Sequence, residues 1–181
     1  MPPFGVRNAD VRYPAVRPHS SLSSPIRLEA PDPTLPGPFA TSSEEYRLEA
    51  AMDELVLPDR MVEYWAVVWR PLGVEPDPES PLPLAVFLHG NHATCGTGSA
   101  PRVDSNSQYT TTGTCPDGFV VVPNHRGYDY IAERLASHGY LAISINANRG
   151  INSGAGVSGD ARLIKARGAL IISPGAACRL S

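Results

Sequence analysis

With 181 residues, 15 Lys and Arg against 18 Asp and Glu, and a net charge of −3, the chain has room for one ordinary domain and no electrostatic pull toward nucleic acid. No basic stripe with interleaved aromatics occurs, and no apolar run approaches the roughly eighteen residues needed to span a bilayer. Nine of its 19 prolines fall in residues 1–40, so that stretch is expected to be a disordered Pro/Ser-rich extension that cannot repay the entropy of ordering.

Met1-Pro2-Pro3-Phe4-Gly5 lacks the basic start and apolar core of a secretory signal. The expectation is a cytoplasmic protein, or a secreted one if the natural start lies elsewhere. Residues 41–173 are expected to hold the folded domain, and 174–181 an irregular tail without periodicity.

Residues 44–57 alternate weakly (Tyr46, Leu48, Leu55, Leu57) and suit an edge strand or the start of a hairpin. Met61 to Trp69 alternates strongly and predicts one continuous strand ended by Pro71. Met61, Glu63, Trp65, Val67 and Trp69 share one face, with Val62, Tyr64, Ala66 and Val68 on the other. Prolines 76, 78, 81 and 83 make the next stretch an exposed connection. Leu84–Leu88 is apolar on both faces, which predicts a central strand covered by helices on each side. It ends abruptly in His89-Gly90-Asn91-His92 and a long polar excursion over residues 91–118.

Phe119 to Pro123 is short and β-prone, with the limited role of packing that loop against the body. From Tyr128 the period changes: Tyr128, Ile131, Ala132 and Leu135 fall on one helical face, and Gly139 follows where a left-handed residue ends a helix. Tyr140–Ile145 then makes a strand, leading into Asn146-Ala147-Asn148-Arg149-Gly150. Strand, helix and strand form a crossover, so the strands leaving residues 88 and 145 should run parallel and emerge at one rim. Asp160 can cap a further helix with Ala161, Ile164, Gly168 and Ile171 along its packed side. Arg162, Lys165 and Arg167 are then left to water, and Pro174-Gly175 stops the helix.

Three cysteines allow at most one internal disulfide. Cys95 and Cys115 flank the Gly/Ser/Thr-rich residues 96–114, and two states fit equally: a staple across that loop, which would imply an oxidising compartment, or two unpaired thiols. His89-x-x-His92-x-x-Cys95 has ligand types at close spacing but no correctly placed acidic residue, so no metal and no other cofactor is expected. The glycines of Asn148 to Gly156 lack a Walker lysine and the Gly-x-Gly-x-x-Gly spacing of a nucleotide site. Arg149 either anchors its loop through a carboxylate or is an ordinary surface arginine. His125 and Arg126 read as loop polarity ahead of the helix, with Asn124 satisfying local N–H groups.

The run Phe87-Leu88-His89-Gly90-Asn91-His92, the helix from Tyr128 and the run Ser144-Ile145-Asn146-Ala147-Asn148-Arg149-Gly150 together resemble the front half of an α/β-hydrolase, over roughly residues 45–172. The bacterial cutinase-like and platelet-activating-factor-acetylhydrolase-like esterases look most similar. The resemblance implies an α/β fold, a three-layer, mostly parallel sheet with helices on both faces, here truncated. It also implies a small ester or acyl substrate. In such enzymes the loop after the His-Gly pair lends a backbone N–H to the oxyanion hole, a role that falls here on Asn91 with His92 beside it. His89, Gly90 and Arg149 would support the loop.

No Gly-x-Ser-x-Gly elbow follows. Gly156-Val157-Ser158-Gly159-Asp160 fails at its last position and follows a loop instead of a strand. The sequence therefore supplies no nucleophile, acid or base for a triad. The expected function is the N-terminal part of a serine ester hydrolase, inactive alone. The alternative is a non-enzymatic α/β binding or scaffold module using the loop at 91–118. Without later strands the apolar sheet edge would stay open and solubility would be poor.

Overall fold

The computed structural model describes residues 32, 34–75, 77–100, 102–110, 112, 114–151 and 161–173. Most of the expected extension, the Ser158 loop, the Asp160 cap, the Pro174-Gly175 stop and the tail at 174–181 lie outside the described residues. The strands are β1 (Thr41–Arg47), β2 (Ala51–Asp53), β3 (Leu57–Val62), β4 (Trp65–Pro71), β5 (Leu84–Leu88), β6 (Cys95–Ser99), β7 (Arg102–Gln108), β8 (Val120–Val121) and β9 (Leu141–Asn146). The helices are α1 (Asp129–Ser137) and α2 (Ala161–Ile172). A 3-10 turn, Asn124–Tyr128, precedes α1.

The strands form three separate sheets, which overturns the expectation of a single mostly parallel three-layer sheet. The largest has four strands in the order β1-β4-β9-β5, a second pairs β2 with β3, and a third runs β7-β6-β8. Within the main sheet, β1 with β4 and β4 with β9 are antiparallel, and only β5 with β9 is parallel. The reason lies in the connections. Parallel neighbours need a crossover of a dozen or more residues, usually helical. Among the described residues only the segment between β5 and β9 carries such a helix. The β2–β3 hairpin returns the chain directly from β1 to β4, so those strands run in opposite directions.

Two further expectations fail for local reasons. Met61–Trp69 is not one strand, because the ladder breaks at Glu63 and Tyr64. Buried Glu63 takes the Arg47 guanidinium at 2.8 Å, and the Tyr64 hydroxyl turns to Asp53 and Ser173. β5 is not central either. It is the outermost strand of its sheet, with Val86 and Leu88 packed toward α2 and Phe87 stacked on Tyr128 at 5.3 Å.

The two faces of the main sheet divide cleanly. Trp65, Val67 and Trp69 pair in register with Asn146, Ser144 and Ala142, on the side where α1 buries Ala132 and Ala136. Ile143 and Ile145 belong to the other side, where Val56, Leu57, Val62, Ala147, Ile151, Leu163, Ala166 and Leu170 form the main apolar cluster. α2 thus packs through Leu163, Ala166 and Leu170 and not through the expected face. Ile164 is 66% exposed and Gly168 is exposed. Its C-terminal end is fixed by a junction in which the Tyr64 and Ser173 hydroxyls both donate to Asp53 and lie 2.9 Å apart. These donors, Ser173 first, hold the Asp53 carboxyl below its usual range, while burial and then Asp53 push the Tyr64 phenol up to about 12.

Gly139 adopts φ +93°, ending α1 as its position suggested. Residues 34–40 run against that same end: Gly37 N–H donates to Ser137 Oγ at 2.9 Å and Phe39 N–H to the Ser137 carbonyl at 3.1 Å.

Candidate functional site

The parallel pair β5–β9 brings the two polar exits, His89 to His92 and Asn146 to Gly150, to one rim. His89 joins them. Its ring is 2% exposed; Nε2 accepts the Ala147 N–H at 2.8 Å, and Nδ1 lies 2.7 Å from the Gly90 carbonyl. An acceptor at Nε2 and a donor at Nδ1 define a neutral imidazole with the proton on Nδ1. Burial, above all, pushes its pKa down to about 4. Both nitrogens are thus occupied, so His89 is a clamp across the rim and not a base.

The clamp orients the neighbouring peptide. In a trans peptide the C=O of one residue and the N–H of the next point in opposite directions. With the Gly90 carbonyl drawn onto His89, the Asn91 N–H points away from the ring. Gly90, Asn91 and His92 are exposed, and the His89 and His92 rings lie 5.7 Å apart. Arg167, expected to face water, reaches the rim instead, with Nη2 3.5 Å from Asn91 Oδ1. Burial holds its pKa below the usual arginine value.

Beneath the rim lies a buried polar network that the sequence did not reveal. Asn146 accepts the Asn148 N–H at 3.0 Å and donates to His125 Nδ1 at 3.1 Å. Asn148 donates to the Val122 carbonyl at 2.9 Å and accepts from Asn124, which also donates to the Ala93 carbonyl at 2.9 Å. Asn124 therefore ties distant segments together instead of satisfying local N–H groups. His125 is fully buried, edge-on to Trp65 at 4.6 Å, and its carbonyl accepts from Ser144 Oγ at 2.7 Å. Its Nε2 has no hydrogen-bond partner and stands 3.7 Å from Glu45. Burial outweighs the Glu45 charge and pushes its pKa down to about 4. Burial raises the Glu45 pKa in turn, but hydrogen bonds from Trp65 and Arg126 overcome this and hold the carboxyl below its ordinary value. Only the run of asparagines at 146 and 148 after an apolar strand hinted at this network.

The polar excursion at 91–118 is a built substructure. Cys95 is fully buried and forms a disulfide with Cys115. β6 pairs with β7 and β8, and the Thr94 N–H donates to Gln108 while the Val122 N–H donates to Thr94. Arg149 fastens this unit to the rim through the Thr112 carbonyl at 2.8 Å, where a carboxylate was one of the expected partners. Because the Cys95 sulfur is bonded to Cys115, the His89, His92 and Cys95 spacing does not make a metal site. No group of three or more His, Cys, Asp or Glu able to hold a metal occurs among the described residues. No helix among them is long and apolar enough to cross a membrane.

Among the described residues, neither His89 nor His125 has a hydroxyl or thiol as a ring partner: His89 holds two backbone groups, and His125 holds Asn146. Comparison with known proteins adds no relative, since no family model, curated protein or solved structure matches the chain.

Proposed function

We propose that this chain contributes the oxyanion-loop side of a serine ester hydrolase site and has no turnover by itself. The observation that carries the proposal is the His89 clamp. It ties the Gly90 carbonyl to the ring, and in a trans peptide the Asn91 N–H then lies on the opposite side, near the rim where β5 and β9 emerge together, which supports the reading. A donor fixed before the reaction can stabilise the negative oxygen of acyl transfer without reorganising. His92 stands beside it, and Gly90 lets a substrate approach the backbone closely. Arg167 adds positive charge at the same rim. The substrate would be a small ester or related acyl compound. The Cys95–Cys115 disulfide supports an oxidising compartment over the cytoplasm.

Two measurements test this. A short alkyl phosphonate, resembling the tetrahedral intermediate, should shift the Asn91 and His92 amide resonances on titration, and the absence of any shift at millimolar probe would refute the oxyanion role. The chain should neither hydrolyse p-nitrophenyl acetate or butyrate nor label with a fluorophosphonate. Turnover abolished by a single Ser→Ala change would overturn the claim of inactivity. The alternative, a binding module built on the β6–β7–β8 unit, draws support from the disulfide that closes that unit. It is favoured if phosphonate leaves the rim amides unmoved and no serine labels.

A further inference from the structure

We propose that the cavity at the amino-terminal end of β9 is a binding site for a small, neutral, apolar molecule, aromatic or short-chain aliphatic. The cavity holds about 630 Å³ and is floored by Val68, Leu141 and Ile143. That volume is in the range of sites for small organic ligands, roughly 300–1,000 Å³. The floor belongs to the sheet face whose other end, at Ile145, is covered by the Leu163, Ala166 and Leu170 side of α2. The site is therefore distinct from the rim, since β9 runs from Leu141 at the cavity to Asn146 at the rim, roughly 17 Å of strand.

The walls are preorganised. Pro71, the last residue of β4, lines the cavity together with Pro78, Pro81 and Leu82 from the connection between β4 and β5. Both ends of that connection are pinned, by Leu72 N–H to the Ala40 carbonyl at 2.8 Å and Leu141 N–H to the Pro83 carbonyl at 2.9 Å. Asp77 holds a turn in between, accepting the Glu79 N–H at 2.9 Å. Proline-fixed walls lose little freedom when a ligand enters, which removes one of the usual costs of binding.

Charge at the cavity selects the ligand class. Arg70 lies 2.8 Å from Glu44 and 3.2 Å from the Tyr46 hydroxyl, which itself donates to Glu44 at 2.6 Å. Arg70, the one cation lining the cavity among the described residues, is thus already matched by a carboxylate, and an anionic ligand would have to break that trio. A neutral apolar ligand leaves it intact and covers Val68, Leu141 and Ile143.

The test uses N-phenyl-1-naphthylamine, an uncharged dye that fluoresces in apolar surroundings, with the full chain. Saturable binding at one site is expected. Val74→Asp and Leu82→Asp, each placing a charge on a half-buried wall residue, should weaken it at least tenfold while far-UV circular dichroism stays native. Ile172→Asp, on the exposed outer side of α2, should leave it unchanged. The proposal is overturned by non-saturable uptake, by unchanged affinity in whichever wall variant folds, or by loss in Ile172→Asp instead. The anionic analogue 1-anilinonaphthalene-8-sulfonate binding the same walls as tightly would overturn the neutral-ligand assignment.

Discussion

Acidification should destabilise this protein well above the pH at which its carboxylates protonate, because two imidazoles are buried neutral. His89 and His125 both have pKa values near 4 in the folded chain, with burial the main cause. Unfolded, each returns to about 6.5. Between those values the unfolded chain binds more protons than the folded one, so stability rises with pH across the window and is fully present above about pH 6.5. Each histidine then contributes roughly 2 kcal/mol of loss by about pH 5 and approaches roughly 3 kcal/mol near pH 4. Together the loss at about pH 5 is roughly 4 kcal/mol, a large part of the 5–15 kcal/mol that holds a typical domain. Carboxylates such as Glu45 and Asp53, whose pKa values are lowered, act in the same direction but only at lower pH. Urea unfolding followed by circular dichroism between about pH 7.5 and 5 should show the midpoint falling at constant slope. His89→Gln should remove about half of the pH dependence, although it also costs stability at neutral pH. A midpoint that is flat across the window, or an unchanged pH dependence in His89→Gln, would refute the assignment of buried neutral imidazoles.

Replacing Cys95 and Cys115 together by serine should cost roughly 3 kcal/mol, the chain-entropy value for a loop of about twenty residues. Hydrogen exchange at Thr94 and Val122 should accelerate with it, and unchanged protection would count against a structural role. Gly150 sits at φ +74°, and a Cβ there would lie 2.1 Å from the Met61 carbonyl oxygen. Gly150→Ala should therefore lower the urea midpoint by at least the roughly 1–3 kcal/mol of a strained backbone, whereas Gly118→Ala, with φ +80° but nothing near its Cβ, should cost less. Leu170→Ala empties a fully buried position between α2 and the sheet and should lose about 2–5 kcal/mol by the same measurement. Ile172→Ala on the exposed side, at 81% exposure, should change little.

The elements nearest the rim were legible because each carries an undiluted signal. Leu84–Leu88 is an unbroken apolar run, the switch to a helical period at Tyr128 is sharp, and a crossover between two strands forces them parallel. What failed was inference from composition to neighbours. An apolar strand can be packed on both faces, only partly buried, and still lie outermost, as β5 does with Tyr128 on one side and the α2 cluster on the other. α2 carries two apolar stripes, and periodicity alone cannot choose Leu163, Ala166 and Leu170 over Ile164, Gly168 and Ile171. The polar loop at 91–118 lacks hydrophobic alternation because its sheet is held by a disulfide and a backbone ladder. The Asn124, His125, Asn146 and Asn148 network joins groups about twenty residues apart, and no local pattern encodes such pairings.

β5 ends its sheet with five uncharged residues, Leu-Ala-Val-Phe-Leu. Along its outer side, a row of main-chain donors and acceptors meets no ladder among the described residues, and no lysine or glutamate side chain in the strand keeps another extended chain away. Another extended chain could therefore add to that edge, which makes the strand an expected site of association.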